Sequence, residues 1–212
     1  MSARVTIADY GVGNLFSVRG AFEHCGAECV LTSDAGAVAR AERLLIPGVG
    51  AFGDAMSDLR EKGLDDAVRR FADSGRPLLG ICLGMQLLLE RSHEFGIHEG
   101  LGVLGGEVVA IPASTADGAP QRLPHVGWAP LEALARGWPG SILEDVPPRS
   151  WFYFVHGYVA VPADPGDRLA ECDYGGRRLC AVYERGNVMG CQFHPEKSGA
   201  RGLAVLRRFL AR

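Results

Sequence analysis

The sequence predicts an α/β fold: a mostly parallel central sheet flanked by helices, with antiparallel strands added in its second half. Three observations lead there. Short apolar runs alternate with segments of helical periodicity through residue 92, the rhythm of parallel βαβ units covered on both faces. From residue 105 onward the segments shorten into strand-like stretches separated by turn signals such as Gly175-Gly176 and Gly186-Asn187, which predicts hairpins. A chain of 212 residues is long enough for one sizeable core, so a single domain is expected over 1–212.

Residues 4–9, RVTIAD, read as a buried strand, and 14–25, NLFSVRGAFEHC, place Leu15, Val18 and Phe22 at helical spacing. Strands follow at 28–33 (ECVLTS) and 43–48 (RLLIPG). A helical pattern covers 54–72, then 77–82 (PLLGIC) supplies an apolar strand and 85–92 (MQLLLERS) another helix. Five β segments come next: EVVAI (107–111), WFYFVHGYVAV (151–161), LAECDY (169–174), RLCAVYERG (178–186) and NVMGCQF (187–193). An amphipathic helix from Ser198 closes the chain. Residues 112–124, rich in Pro, Ala and small polar side chains, form a surface loop and no domain linker.

Composition narrows the function. Lys and Arg number 22 against 25 Asp and Glu, a net charge of −3, and they are scattered, so no stripe for nucleic acid is expected. The first residues lack the basic and apolar halves of a signal peptide, and no apolar run is long enough to span a bilayer. A soluble, cytoplasmic chain is expected. The six cysteines form no CxxC pair and the histidines no paired spacing, which argues against a metal site and against disulfides. Five of the six are expected to be small core residues.

The sixth is Cys82, in GICLG. A strand that turns at Cys82 directly into a helix must turn so tightly that the residues two before and two after the apex nearly touch. Glycine at positions 80 and 84 removes that clash. The product is a strand-to-helix elbow that holds a nucleophile above a sheet. The helix N-terminus beneath adds partial positive charge, which favours the reactive thiolate. The alternative for Cys82 is a buried cysteine whose flanking glycines serve packing alone. A nucleophile needs a base, and His194 is the best placed of six histidines, since NVMGCQFHPEKS puts it beyond the C-terminal end of an apolar strand. Glu196, two residues on, can hold the imidazole tautomer.

GICLGMQ together with FHPE resembles the class I glutamine amidotransferases, of flavodoxin-like fold. That resemblance implies a Cys82-His194-Glu196 triad releasing ammonia from glutamine through a glutamyl thioester, with no cofactor. It also implies an oxyanion site from backbone N–H groups of Val49 or Gly50, in PGVG, and of Leu83. Gln86, Glu94, Gly157 and Tyr158 match positions around the glutamine substrate; for Glu94 a solvated charge at a helix end is the alternative. The motifs ADYGVGNLFSV, LIPGVGAFGDAM, LPHVGWAP, YFVHGY and HPEKS are similar, in order and spacing, to the branch that supplies ammonia to imidazole glycerol phosphate synthases of histidine biosynthesis. This branch implies a heterodimer with a (β/α)₈-barrel cyclase, touched by Asn14, Trp128, Tyr153 and Lys197; for Trp128 a plain core position is the alternative. The chain departs from the branch at Gly157, where Ser is usual, and at Ala129, where Asn is. Two other readings stay open: a glutaminase subunit of a different synthase, and a catalytically silent subunit of the same fold.

Overall fold

The computed structural model describes residues 2–134 and 137–212. β1 (Arg4–Ala8) leads into α1 (Leu15–His24), β2 (Glu28–Thr32), α2 (Ala35–Ala39), β3 (Leu44–Ile46), α3 (Phe52–Glu61), α4 (Leu64–Asp73), β4 (Leu78–Ile81) and α5 (Leu83–Leu87). Next come β5 (Arg91–Ser92), β6 (His98–Glu99), β7 (Gly106–Ala110), β8 (His125–Pro130), β9 (Glu132–Ala133), β10 (Trp151–His156) and β11 (Tyr158–Pro162). The chain ends with β12 (Arg168–Tyr174), β13 (Arg177–Arg185), β14 (Val188–Cys191) and α6 (Gly199–Leu210).

The central sheet has the order β2-β1-β3-β4-β14-β13-β12-β9. Its first five strands are parallel and the last three antiparallel, as the two halves of the sequence predict. The parallel strands β3, β4 and β14 are buried at every residue, which is why they read as unbroken apolar runs. Two helical groups cover the sheet. One is α1 with α6, joined by an edge-to-face contact of Phe22 and Phe209; the other is α2, α3 and α4.

Three expectations need correction. The helical pattern of 54–72 is two helices, α3 and α4, because Gly63 takes a left-handed φ of 64° between them and only its missing Cβ makes that turn cheap. The helix of 85–92 stops at Leu87. Leu87, Leu88 and Leu89 are all buried, and their carbonyls accept hydrogen bonds from the amides of Leu101, Val103, Leu104 and Gly102 instead of continuing a helix. The single segment of 151–161 is two strands of different sheets: β10 pairs with β8, and β11 joins a sheet of order β11-β7-β5-β6. The break falls at Gly157, beside the Cys82 turn. Of the second half of the chain, β12, β13 and β14 with the short β9 therefore extend the central sheet.

Packing fixes the β4–α5 turn. A Cβ on Gly80 would lie 2.6 Å from the Gly84 carbonyl oxygen, as the sequence predicts. Gly84 has a different obstacle: its Cβ would overlap the Ile46 carbonyl oxygen at the end of β3. The turn is thus wedged against the neighbouring strand as well as against itself. Gly84→Ala should lower stability by about 3 kcal/mol, the upper end of ordinary overpacking, because the obstacle is backbone. Gly20→Ala, mid-helix in α1 with open space around it, should raise stability by about 0.5–1 kcal/mol. Denaturant titration of the two variants checks this, and equal effects would contradict it.

Candidate active site

Cys82 stands at the N-terminus of α5 with φ 53° and ψ −112°, a backbone conformation that L-residues rarely adopt and that costs about 1–3 kcal/mol. Its amide donates to the Cys191 carbonyl at 2.8 Å, which ties the elbow to β14. The next turn of α5 is held from the same side, where the Tyr183 hydroxyl donates to the Met85 carbonyl at 2.6 Å. The sulfur lines a cavity of about 290 Å³ bounded also by Val49, Gly50, Leu83, Gln86 and Glu94. Val155, His156, Gly157, Tyr158 and His194 are in the same wall.

His194 follows β14 at the start of a short 3-10 turn, Pro195–Lys197. Its amide donates to the Tyr153 carbonyl at 3.0 Å, and Ser198 Oγ donates to the His194 carbonyl at 2.6 Å while accepting from the Tyr153 amide at 3.0 Å. These three bonds clamp the turn to β10. His194 Nδ1 lies 2.8 Å from Glu196 Oε1, with both side chains buried. Nε2 is buried without a hydrogen-bond partner among the described residues, and it is the ring atom left for Cys82. Burial alone would pull the imidazole down. Cys82 and Glu196 outweigh it and push His194 up to about 9.

The residues expected around the substrate converge. Gln86 is buried, and its Nε2 donates to the Tyr158 carbonyl at 3.1 Å and to Gln192 Oε1 at 2.9 Å. Glu94 is not a solvated helix end: its Oε2 accepts the Phe52 amide at 2.6 Å, capping α3 from a distant loop. At Gly157 a Cβ would meet only Pro124, at 3.9 Å, so nothing in the packing excludes the serine usual there. Ala129 is buried in β8. Gly48 lies so close behind the elbow that a Cβ there would come within 2.8 Å of the Gly84 nitrogen, and the Tyr10 hydroxyl donates to the Pro47 carbonyl behind it.

Of the four residues assigned to a partner face, three cluster. Trp128 is 51% exposed, which excludes a core position, and it meets Tyr153 edge to face at 6.0 Å. Lys197 Nζ sits 6.0 Å above the same Tyr153 ring. Asn14 caps α1, its side chain accepting the Ser17 amide at 3.3 Å. Among the other cysteines, Cys172, Cys180 and Cys191 are buried, while Cys25 and Cys29 are half-buried and not core.

Sequence reasoning missed Gln192 and could not rank His125 and His156. Gln192 Nε2 is 3.7 Å from Cys82 Sγ. His125 and His156, paired across β8 and β10, join through Nδ1 and Nε2 at 3.1 Å, and His156 Nδ1 donates to the Tyr158 carbonyl at 2.8 Å. His125 stacks on Tyr174 at 4.1 Å. Burial pulls His156 down to about 4, against the Tyr158 carbonyl and helped by His125; burial lowers His125 too. Their strand register could have been found from alternation around PHVGW, but no sequence signal pairs the two rings.

The family model of class-I glutamine amidotransferases matches residues 6–212. The chain is 47% identical over 208 residues to imidazole glycerol phosphate synthase subunit HisH 1 of Legionella pneumophila (strain Lens), covering 97% of this chain and 98% of that one. It is 48% identical over 207 residues to subunit HisH of Rhodopirellula baltica, covering 97% and 96%. A solved glutamine amidotransferase superposes with a TM-score of 0.73 at 22% identity, over 98% of this chain and 97% of that chain. PurLQS of Thermotoga maritima superposes with a TM-score of 0.74 at 21% identity, over 100% of this chain and 99% of that chain. These two structures establish the fold: a class I amidotransferase α/β fold, as the sequence predicts.

The two buried histidines make an acid-side prediction. Both stay neutral in the fold below their ordinary pKa of 6.5, whereas the unfolded chain takes up the protons, so stability falls as pH drops from 6.5 toward 4. His194 acts in a different window: its contribution is complete below pH 6.5 and is lost as pH rises through about 9. Thermal midpoints measured from pH 7 to 4 should therefore fall less steeply in His156→Gln than in the native chain. Identical slopes would contradict the neutral state of the pair.

Proposed function

The chain belongs to the class-I glutamine amidotransferases and, within them, to the HisH subunits of imidazole glycerol phosphate synthase, and from that premise we propose that it hydrolyses glutamine with Cys82, His194 and Glu196 and hands the ammonia to a cyclase subunit. The observation that carries this reading is one pocket lined by a cysteine on a strained strand-to-helix turn and by a histidine whose Nδ1 is tied to a buried carboxylate.

Cys82 Sγ, as thiolate, attacks the side-chain carboxamide carbon of glutamine. The tetrahedral oxygen is met by the backbone N–H of Leu83, at the first turn of α5, and by one from the Val49-Gly50 segment across the cavity. Gly50, with φ 111°, lets that peptide take orientations closed to other residues. His194 gives its Nε2 proton to the departing nitrogen, and the C–N bond breaks to leave a thioester and ammonia. The now neutral imidazole takes a proton from water, whose oxygen attacks the thioester carbon; the C–S bond breaks, releasing glutamate and restoring the thiolate–imidazolium pair. Glu196 holds the ring and its positive charge throughout. Gln86, Glu94, Gly157 and Tyr158 surround the substrate, the last two through backbone groups.

Ammonia released into bulk water would be protonated and lost as a nucleophile. The cyclase therefore docks over the pocket, on the outer face of the β8–β10 ribbon. There Trp128, Val126 and Trp151 are exposed beside Tyr153 and Lys197, giving an aromatic anchor with a charged rim. The complex forms imidazole glycerol phosphate and aminoimidazole carboxamide ribotide in histidine biosynthesis, in the cytoplasm. No helix among the described residues is long and apolar enough to cross a membrane.

A complex carrying Cys82→Ala should form no product with glutamine yet retain synthesis from ammonium at alkaline pH, because free NH₃ reaches the cyclase from solvent. Trp128→Ala should leave ammonium-dependent synthesis intact and weaken partner affinity by about 2 kcal/mol, the loss expected of an aromatic anchor. Steady-state assays with both nitrogen donors across a titration of the partner check this. Loss of the ammonium reaction in the Cys82→Ala complex would mean that this chain contributes groups to the cyclase step.

A further inference from the structure

Gln192 is completely buried, a position where an apolar side chain of the same size would pack without desolvating an amide. Its two polar atoms meet Gln86 Nε2 at 2.9 Å and Cys82 Sγ at 3.7 Å. Which end faces which follows from groups whose polarity cannot change. The Tyr158 carbonyl only accepts, so the Gln86 atom 3.1 Å away is the NH₂ group. The same NH₂ approaches Gln192, so it meets the Gln192 carbonyl oxygen. The Gln192 NH₂ is thereby turned toward the sulfur. His156 obeys the same logic, since its Nδ1 must donate to the Tyr158 carbonyl, which leaves its Nε2 to accept from His125 Nδ1.

We propose that Gln192 is a further catalytic residue of the glutamine reaction, its side-chain amide donating to the Cys82 sulfur and stabilising the thiolate that attacks. Gln86 then acts on both sides of the pocket wall. Its two N–H bonds are committed to Tyr158 and Gln192, so it presents only Oε1 to the cavity, where it accepts from a donor on the substrate, the α-ammonium or the carboxamide NH₂. The sulfur thus has one donor in Gln192, and His194 Nε2, which has no hydrogen-bond partner among the described residues, is the second group that can turn toward it.

The inference rests on the glutaminase reading for its kinetic arm alone. Gln192→Met keeps the volume and removes the donor; Gln192→Glu keeps the shape and sets an acceptor against the sulfur. Alkylation of Cys82 by iodoacetamide, followed by peptide mass from pH 5 to 10, reads the thiolate directly. The midpoint should move to higher pH in Gln192→Met and further in Gln192→Glu. With the cyclase subunit added, kcat for glutamine hydrolysis should fall about 10- to 100-fold in Gln192→Met, the worth of one hydrogen bond to a charged group, with KM changed less than about threefold. Should the methionine variant fail to fold, the isosteric glutamate variant carries the test. An unmoved midpoint or an unchanged kcat overturns the proposal. A native chain that does not hydrolyse glutamine refutes the glutaminase reading instead, and leaves the alkylation result standing.

Discussion

A left-handed backbone at Cys82 is the constraint from which the rest of the site follows. An L-residue takes φ 53° only where its surroundings over-determine it, and here they do. Gly80 and Gly84 let the chain double back, Ile46 presses on Gly84 from β3, Gly48 backs the turn from the next loop, and β14 holds the Cys82 amide. Three separate stretches of sequence, around residues 46–48, 80–84 and 191, must be in place before the sulfur is. The strain is small beside the roughly 5–15 kcal/mol that stabilises a domain, yet it fixes the direction of one side chain. Relaxing the turn would carry Sγ away from both His194 and Gln192.

The same economy joins His194 to the surface. His194 hangs from β10 by its amide and through Ser198, and β10 pairs along its whole length with β8, which carries Trp128. Any partner that shifts the ribbon therefore shifts the imidazole with it. The inner face of the ribbon bears His125 and His156, which tie it to the Tyr158 carbonyl and so to Gln86. The outer face is exposed aromatic surface, and at the end of the inner face His156 lines the cavity that holds Cys82. On the proposed function, such a ribbon is a physical route for coupling between docking and chemistry, since both would bear on one paired element.

Much of this was legible in the sequence, for reasons that separate cleanly. The parallel strands announce themselves because burial on both faces leaves no polar alternation, and the elbow because glycine two residues before and two after a cysteine, in GICLG, fits a strand that turns directly into a helix. HPE at a strand end supplied the proposed base and its carboxylate. The helix of 85–92 failed because periodicity cannot distinguish a buried helix from three leucines whose carbonyls are claimed by residues 101–104. The segment of 151–161 failed because its break, at Gly157, depends on which strands lie alongside. Gln192, one residue past the end of β14, was invisible since its partners are set by the fold and leave no local signature. Its role rests on Gln86, which is 106 residues away in the chain.

The proposed chemistry requires that Cys82 and His194 pair as thiolate and imidazolium at this turn. The most direct test is NMR titration of the His194 ring in the native chain and in Cys82→Ser, which removes the thiolate and leaves the turn in place. An imidazole that titrates near about 9 in the native chain and clearly lower in Cys82→Ser is the expected result. An imidazole that titrates at the same pH in both would contradict it, since Cys82 would then contribute nothing to the charge on His194.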